Sequence, residues 1–267
     1  MDQEPECAEC GGTVAPDGHC WDCGADQEDF HAHGELTVEG GAGVTDRGRR
    51  RRVNADALAL TEAGPWRIGV VCDGVSMSPR PERAARLAAD VGARVLIERL
   101  SVGEVPETAL TDSVHIAGRA VTALAGPEPT APACTYVAGV VGPSGLWVTW
   151  IGDSRAHWLP EHGLGLPLTR DDTADSGAIS AWLGADADLP EPRTRSLVPG
   201  VPGTLLLSTD GLTRYLPDAD ALRDAMRASE PLRGARALVD HALSAGGHDN
   251  VTALLLRVPA PPTENSL

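Results

Sequence analysis

The sequence predicts an α+β fold with antiparallel sheets, and two observations lead to this prediction. Segments rich in Val, Leu, Ile and Thr occur in blocks, whereas a doubly wound parallel fold would alternate them one by one with helices. Segments with apolar residues at three- and four-residue spacing form blocks of their own, which predicts helices at 81–100, 109–126, 219–229 and 231–246. The predicted strands lie at 36–40, 56–63, 67–73, 134–142, 145–153, 156–161, 165–170, 204–210 and 250–258.

The distribution of these segments divides the chain into three regions. Residues 1–32 hold four of the six cysteines and little apolar material. Residues 33–260 contain all the predicted strands and helices, and residues 261–267 form a polar, proline-containing tail that we expect to be loose. The 42% hydrophobic content is enough for one sizeable core.

The composition limits the partners of the chain. Its formal net charge of −16 repels phosphates, so we expect neither nucleic acid nor an anionic membrane as the main partner. No apolar segment approaches the ~20 residues that cross a bilayer, and the acidic N-terminal segment is unlike a signal peptide. We therefore expect a cytoplasmic protein, a setting in which clustered cysteines usually bind metal.

Two Cys-x-x-Cys-Gly motifs lie near the N-terminus and contain Cys7, Cys10, Cys20 and Cys23. Four thiolates suit a tetrahedral Zn²⁺ ion with no open position, which is typical of a structural zinc ribbon. A redox Cys-x-x-Cys would be a single pair in a βαβ context, and rubredoxin-like iron is the other metal alternative. The remaining cysteines, Cys72 and Cys134, lie in apolar segments and are expected in the core.

Five aspartates lie at the ends of predicted strands: Asp56, Asp73, Asp153, Asp210 and Asp249. If these ends meet at one edge of a sandwich, the buried carboxylates need cations to neutralise them. Hard oxygen ligands without histidine favour Mg²⁺ or Mn²⁺, and two such ions ~3.5–4 Å apart are suited to phosphate-ester hydrolysis. Asp-Gly is common in turns, so the prediction depends on the whole set.

The segments that contain these residues are VTDRGRRRRVNADA, VVCDGVS, WIGDSRAHWL, LLLSTDGL and GGHDNVTALLL, in that order. Together they resemble the type 2C metal-dependent (PPM) serine/threonine phosphatases, and the resemblance covers about residues 36–258. It implies a four-layer α-β-β-α sandwich of two antiparallel sheets. It also implies a binuclear Mg²⁺ or Mn²⁺ centre, with hydrolysis by a hydroxide that bridges the two ions.

The resemblance also implies a ligand set. Asp73 matches the residue that bridges the two ions, and Gly74 matches the residue whose backbone carbonyl binds one of them. Asp210 and Asp249 would complete the first site, while Asp56 would hold the second ion through water.

Two further roles follow from the resemblance. Asp153 matches a ligand of a weaker third ion, which it would share with Asp210. Arg51, five residues before Asp56, matches the arginine that binds the substrate phosphate, and Arg52 is its rival if the register slips by one. The run 47–52 has a nucleic-acid patch as its alternative interpretation, which strand alternation and the acidic charge disfavour.

The motifs depart from the family pattern in three respects. Ala55 stands where an acid commonly precedes the first aspartate, which would weaken the second metal site. The segment DGVSM at 73–77 lacks the usual later glycines. Val75 follows Asp-Gly where some relatives have a histidine, so we expect water to protonate the leaving group.

The segment 171–189 resembles a shortened form of the flap that helps many bacterial members choose substrates. Asp171 and Asp172 in this segment are expected to be solvated loop charges. A short flap would leave the metal centre open.

These inferences favour an active phosphoserine/phosphothreonine protein phosphatase that opposes a bacterial-type Ser/Thr kinase and acts as a monomer. The alternative is a catalytically weak or inactive sensor or scaffold that binds a phosphoprotein, which Ala55 and the altered DGVSM loop would permit. A third hypothesis is an enzyme that acts on a small phosphorylated metabolite. The zinc ribbon would serve either as a docking or stabilising appendage or as an N-terminal cap.

Overall fold

The computed structural model describes residues 6–14, 18–25, 27, 32–127, 130–187, 191–227 and 230–259. The predicted tail at 261–267 lies outside these residues. The division of the chain at residues 32 and 260 stays a prediction. No helix in the described part of the chain is long and apolar enough to cross a membrane.

The main region contains two large antiparallel sheets. The six-stranded sheet has the order β1-β2-β13-β12-β8-β9, with β1 at His33–Val38, β2 at Gly41–Asp46, β8 at Arg155–Pro160, β9 at Leu166–Pro167, β12 at Gly203–Ser208 and β13 at Val251–Val258. The five-stranded sheet has the order β11-β7-β6-β4-β3, with β3 at Asp56–Ala63, β4 at Trp66–Asp73, β6 at Tyr136–Gly142, β7 at Gly145–Ile151 and β11 at Arg193–Leu197. A short pair joins β5 at Ala133–Cys134 to β10 at Leu183–Gly184.

In the described part of the chain, five helices cover the outer faces of the sheets: α1 at Pro81–Ser101, α2 at Pro106–Thr122, α3 at Asp210–Thr213, α4 at Ala219–Met226 and α5 at Pro231–Ser244. Proline stands at the start of α1, α2 and α5, where its fixed φ suits the first helical turn and its missing N–H costs nothing. The long helices pack through small residues and leucines, which matches their apolar spacing.

The layers follow from the alternation of side chains along each strand. In β6, Tyr136, Ala138 and Val140 pack with α1 and α2, whereas Val137 and Val141 pack between the two sheets. A third cluster joins the six-stranded sheet to α3, α4 and α5. The predicted α-β-β-α sandwich of antiparallel sheets is therefore confirmed, and Cys72 and Cys134 are both fully buried, as expected.

Besides the two-residue β10, two strands were missed by the sequence prediction. β2 contains two glycines and few large apolar residues, yet it lies between β1 and β13, with Ala42 and Val44 buried. β11 is polar and largely exposed because it lies at the edge of its sheet, where β7 is its one partner among the described residues. In both cases the neighbouring strands, and not the local composition, produce the strand.

Candidate active site

The predicted aspartates meet at one edge of the sandwich. A cavity of about 130 Å³ is lined there by Asp73, Gly74, Val75, Ser76, Thr135, Asp153, Ile179, Asp210 and Asp249. Asp56 is paired with Asp73 in the register of β3 and β4, so it lies directly beside this group. The structure therefore brings together all five carboxylates and Gly74.

Asp56 is the most enclosed of the five carboxylates, and its residue is only 5% exposed. Its Oδ2 accepts hydrogen bonds from the hydroxyls of Thr209 at 2.8 Å and Thr252 at 2.7 Å. Its Oδ1 is buried without a hydrogen-bond partner among the described residues. Burial raises the pKa of Asp56 from 3.8 to about 7, and the two threonine hydroxyls oppose that rise. Because buried polar atoms are almost always satisfied, this oxygen fits a site that a cation completes.

The other carboxylates are also costly to ionise together. Burial, followed by the negative charge of Asp56, raises the pKa of Asp73 well above its usual range. Burial and the charge of Asp210 raise the pKa of Asp153 to about 6. Burial and the charge of Asp249 raise the pKa of Asp210 as well. Such a cluster is stabilised as carboxylates when cations neutralise it.

The elements that carry these aspartates differ from the predicted strand ends. Asp73 is the last residue of β4, as expected, and its N–H donates to the Thr135 hydroxyl at 2.9 Å. Asp153 lies two residues beyond β7, and Asp210 is the first residue of α3. The prediction that strands extend to both of these residues is wrong because the chain turns at the edge of each sheet.

Gly74 has a packing role that the sequence did not indicate. A Cβ at this position would lie 2.7 Å from the backbone and Cβ of Pro81, the first residue of α1. The start of α1 therefore requires glycine here, whatever its carbonyl binds.

Arg51 lies at the rim of the cavity. Its Nε and Nη2 donate to Oδ1 and Oδ2 of Asp249, both at 2.7 Å. The contact with the carboxylate group is thus made by Arg51, the residue that the motif spacing favours over Arg52. The expectation that strand alternation splits the arginine run between two faces is wrong, because β2 ends at Asp46 and residues 48–50 form a turn.

Asn250 follows Asp249 directly, and its role was not predicted from the sequence. Its side-chain Oδ1 accepts from the N–H of Ala55 at 2.9 Å. Its Nδ2 donates to the carbonyls of Arg47 at 2.8 Å and Val53 at 3.0 Å. The buried side chain of Asn250 therefore connects both ends of the loop at 47–53, which contains Arg51, to the start of the strand that follows Asp249. Its position next to that aspartate was the only available signal.

Asp171 and Asp172 of the segment 171–189 are not solvated loop charges, contrary to expectation. Asp172 is buried, accepts from the N–H of Gly152 at 3.0 Å and forms an ion pair with Arg193 at 2.6 Å. Asp171 forms a bidentate ion pair with Arg155. Both carboxylates hold the segment against the sheet. Ile179, near its middle, lines the carboxylate cavity.

The four N-terminal cysteines form a second candidate metal centre. Their sulfur atoms all lie within 4.8 Å of one another; Cys10 and Cys20 are 3.5 Å apart, and Cys7 and Cys23 are 3.7 Å apart. A tetrahedral ion with Zn–S bonds of ~2.3 Å requires sulfurs ~3.8 Å apart, whereas a disulfide requires ~2.05 Å. The donor set therefore fits a zinc ion. Among the described residues, no other group of three or more possible metal ligands brings its ligand atoms together as closely as these cysteines.

Comparisons with known proteins agree with this geometry. Residues 45–245 match the family model for protein phosphatase 2C. The serine/threonine phosphatase stp of Listeria monocytogenes is 27% identical over 240 residues, which cover 79% of this chain and 93% of that protein.

Two solved structures are similar in fold. The PPM Ser-Thr phosphatase MsPP of Mycobacterium smegmatis, in complex with cacodylate, is 25% identical with a TM-score of 0.65; the match covers 84% of this chain and 100% of that one. The catalytic domain of the serine threonine protein phosphatase PstP, in complex with two manganese ions, is 25% identical with a TM-score of 0.66. The match covers 82% of this chain and 97% of that one.

Proposed function

The chain belongs to the protein phosphatase 2C family, and we propose that it is an active metal-dependent phosphatase of phosphoserine and phosphothreonine in proteins. The observation that supports this most is the cavity lined by four aspartates, with the unpartnered Oδ1 of Asp56 beside it and Arg51 at its rim. Oxygen donors of this kind suit Mn²⁺ or Mg²⁺.

The ligand roles follow the family resemblance. We assign Asp73, Asp210, Asp249 and the carbonyl of Gly74 to one ion, and Asp73 with Asp56 to the other. Asp153 would hold a third ion together with Asp210. Two such ions, when bound, activate water and neutralise the charge of the phosphate.

The side chains around the ions would bind and orient the substrate. Arg51 presents a planar guanidinium fork whose donors match two phosphate oxygens. Val75 lines the cavity and offers no proton, so the leaving hydroxyl would take its proton from water. Asn250 would keep the Arg51 loop in place through its three hydrogen bonds.

The alternative of an inactive sensor or scaffold is not supported by the comparisons. The departure at Ala55 leaves the backbone contacts of that residue intact, since its N–H donates to Asn250 and its carbonyl accepts from the N–H of Gly74. We further propose that the chain acts as a monomer on substrates of a bacterial-type Ser/Thr kinase. We also propose that Cys7, Cys10, Cys20 and Cys23 hold a structural zinc ion.

The experiment that tests the function is hydrolysis of p-nitrophenyl phosphate and of a phosphothreonine peptide with added Mn²⁺, with EDTA as the blank. The proposal requires turnover that depends on the metal and disappears in Asp210→Asn. Asp224→Asn, on the exposed face of α4, is the matched control and should retain full activity. Folded protein that binds Mn²⁺ but turns over neither substrate would overturn the proposal.

A further inference from the structure

The segment 47–52, here called the arginine loop, concentrates positive charge on an acidic protein. It holds five of the 22 basic residues of a chain whose net charge is −16. The guanidinium of Arg51 contacts the carboxylate of Asp249. Arg49 and Arg50 are exposed, and neither forms an ion pair or side-chain hydrogen bond with any residue that the structure describes.

The backbone of the arginine loop is held by hydrogen bonds, although two of its side chains have no partner among the described residues. The N–H of Arg49 donates to the carbonyl of Gly247 at 2.8 Å, and the N–H of Gly48 donates to Oδ1 of Asp46 at 2.8 Å. The Asn250 amide bonds the carbonyl of Arg47, the first residue of the loop. Because the backbone is already ordered, a ligand of Arg49 and Arg50 would need to order only side chains.

The backbone of Arg49 and Arg50 lies close to Arg51, whose side chain contacts Asp249 of the reaction cavity. Arg50 adjoins Arg51, and Arg49 is two residues away, which limits the separation of the Cα atoms of Arg49 and Arg51 to about 7 Å. A peptide whose phosphate lies at Arg51 would therefore place the side chains next to its phosphorylated residue within reach of both arginines.

We propose that Arg49 and Arg50 bind acidic side chains next to the phosphorylated residue, so that the preferred substrates are phosphoproteins with acidic sequences around the phosphorylation site. This inference rests on the proposed function. Carboxylates are the natural partners of free guanidiniums, and the negative charge elsewhere on the chain would steer an acidic segment towards this loop. A nucleic acid would present phosphates along its whole length to that negative surface, so a short acidic peptide segment is the favoured partner.

The test compares two phosphothreonine peptides that differ only by glutamate or glutamine at the positions flanking the phosphothreonine. For the wild type at low ionic strength, kcat/KM should be about 5- to 10-fold higher for the glutamate peptide, since exposed ion pairs each contribute modestly. The preference should shrink in high salt, which screens exposed charges. Arg49→Ala/Arg50→Ala should lose the preference while its turnover of p-nitrophenyl phosphate stays unchanged.

Two further variants make the test specific. Arg119→Ala, exposed on α2, should retain the preference of the wild type. Arg49→Glu/Arg50→Glu should instead favour a peptide with arginine at the flanking positions. A change of that sign cannot come from a general loss of stability.

The outcomes separate this inference from the proposed function. Equal kcat/KM for the two peptides in the wild type, or a preference that survives in the double alanine variant, would overturn the inference and leave the phosphatase intact. Failure to hydrolyse either peptide or p-nitrophenyl phosphate would overturn the function itself. Binding of a DNA duplex that the double alanine variant loses, with the peptide preference unchanged, would assign the loop to nucleic acid and refute the inference.

Discussion

Replacing Asp56 by asparagine should change how the stability of the metal-free protein depends on pH. Burial raises the pKa of Asp56 from 3.8 to about 7, so the folded state keeps a proton that the unfolded state releases above pH ~4. A raised pKa contributes stability that is fully present below the unfolded pKa and is lost as the pH rises through the folded pKa. Asparagine does not titrate, so the variant does not lose this contribution.

The magnitude follows from the shift. Each pH unit between the two pKa values changes the free energy of unfolding by about 1.4 kcal/mol. From pH 5 to pH 8 the wild type should therefore lose about 3 kcal/mol relative to Asp56→Asn, because the titration is complete near pH 7. Any fixed cost of the new amide cancels, since it is the same at both pH values.

The assay is urea unfolding in EDTA at pH 5 and pH 8 for the wild type, Asp56→Asn and the control Asp224→Asn. The stability difference between Asp56→Asn and the wild type should move by about 3 kcal/mol in favour of the variant, and the control should show no comparable movement. Adding Mn²⁺ at pH 8 should stabilise the wild type more than Asp56→Asn. A difference that is the same at both pH values would refute the argument that Asp56 is held protonated by burial.

Three other changes have definite expected outcomes. Asn250→Ala should lower kcat/KM roughly tenfold, because it removes the hydrogen bonds that hold the loop containing Arg51. In an Arg51→Ala background the same change should lower kcat/KM only about twofold, because the effects of coupled residues are not additive. Equal losses in both backgrounds would show that the amide acts elsewhere. Cys20→Ser should abolish bound zinc, measured by atomic absorption, and leave the turnover of p-nitrophenyl phosphate unchanged. The reason is that the hydrogen bonds of Cys20 in the described structure join it to other residues of the N-terminal cysteine segment. A parallel loss of turnover would contradict a purely structural role. Leu207→Ala should cost about 2–5 kcal/mol in urea unfolding because Leu207 is fully buried between the sheets, and a cost below about 1 kcal/mol would contradict that packing.

Much of the fold could be predicted because the relevant information is local. The strand predicted at 56–63 has the same bounds as β3, and the helix predicted at 81–100 differs from α1 by one residue. Side-chain periodicity and proline positions are properties of short segments, so they can be seen without knowing what each segment packs against. Elements that depend on neighbours, such as β2 and β11, could not be found in this way.

In the candidate site, too, some residues could be predicted from the local sequence and others could not. The five aspartates were recognisable because each follows or precedes an apolar segment, and their oxygens already indicate the kind of cation. Asn250 was not recognisable, since its partner Ala55 lies 195 positions away in the chain. The ion pairs of Asp171 and Asp172 were equally hidden, because a loop carboxylate appears solvated until its arginine is known.

The sequence by itself determined which metal-binding groups are present, namely four thiolates in one group and five carboxylates in another. It also determined the alternation of apolar and polar side chains from which the sheets are built. Only the tertiary structure decided which groups share an environment. Burial raises the pKa of Asp56, and Asp249 contacts Arg51. Arg49 and Arg50, next to Arg51 in the chain, have no side-chain partner among the residues that the structure describes. The physical reason is that desolvation and pairing depend on the contacts around a group, and in a folded chain most of those contacts come from residues that are distant in the sequence.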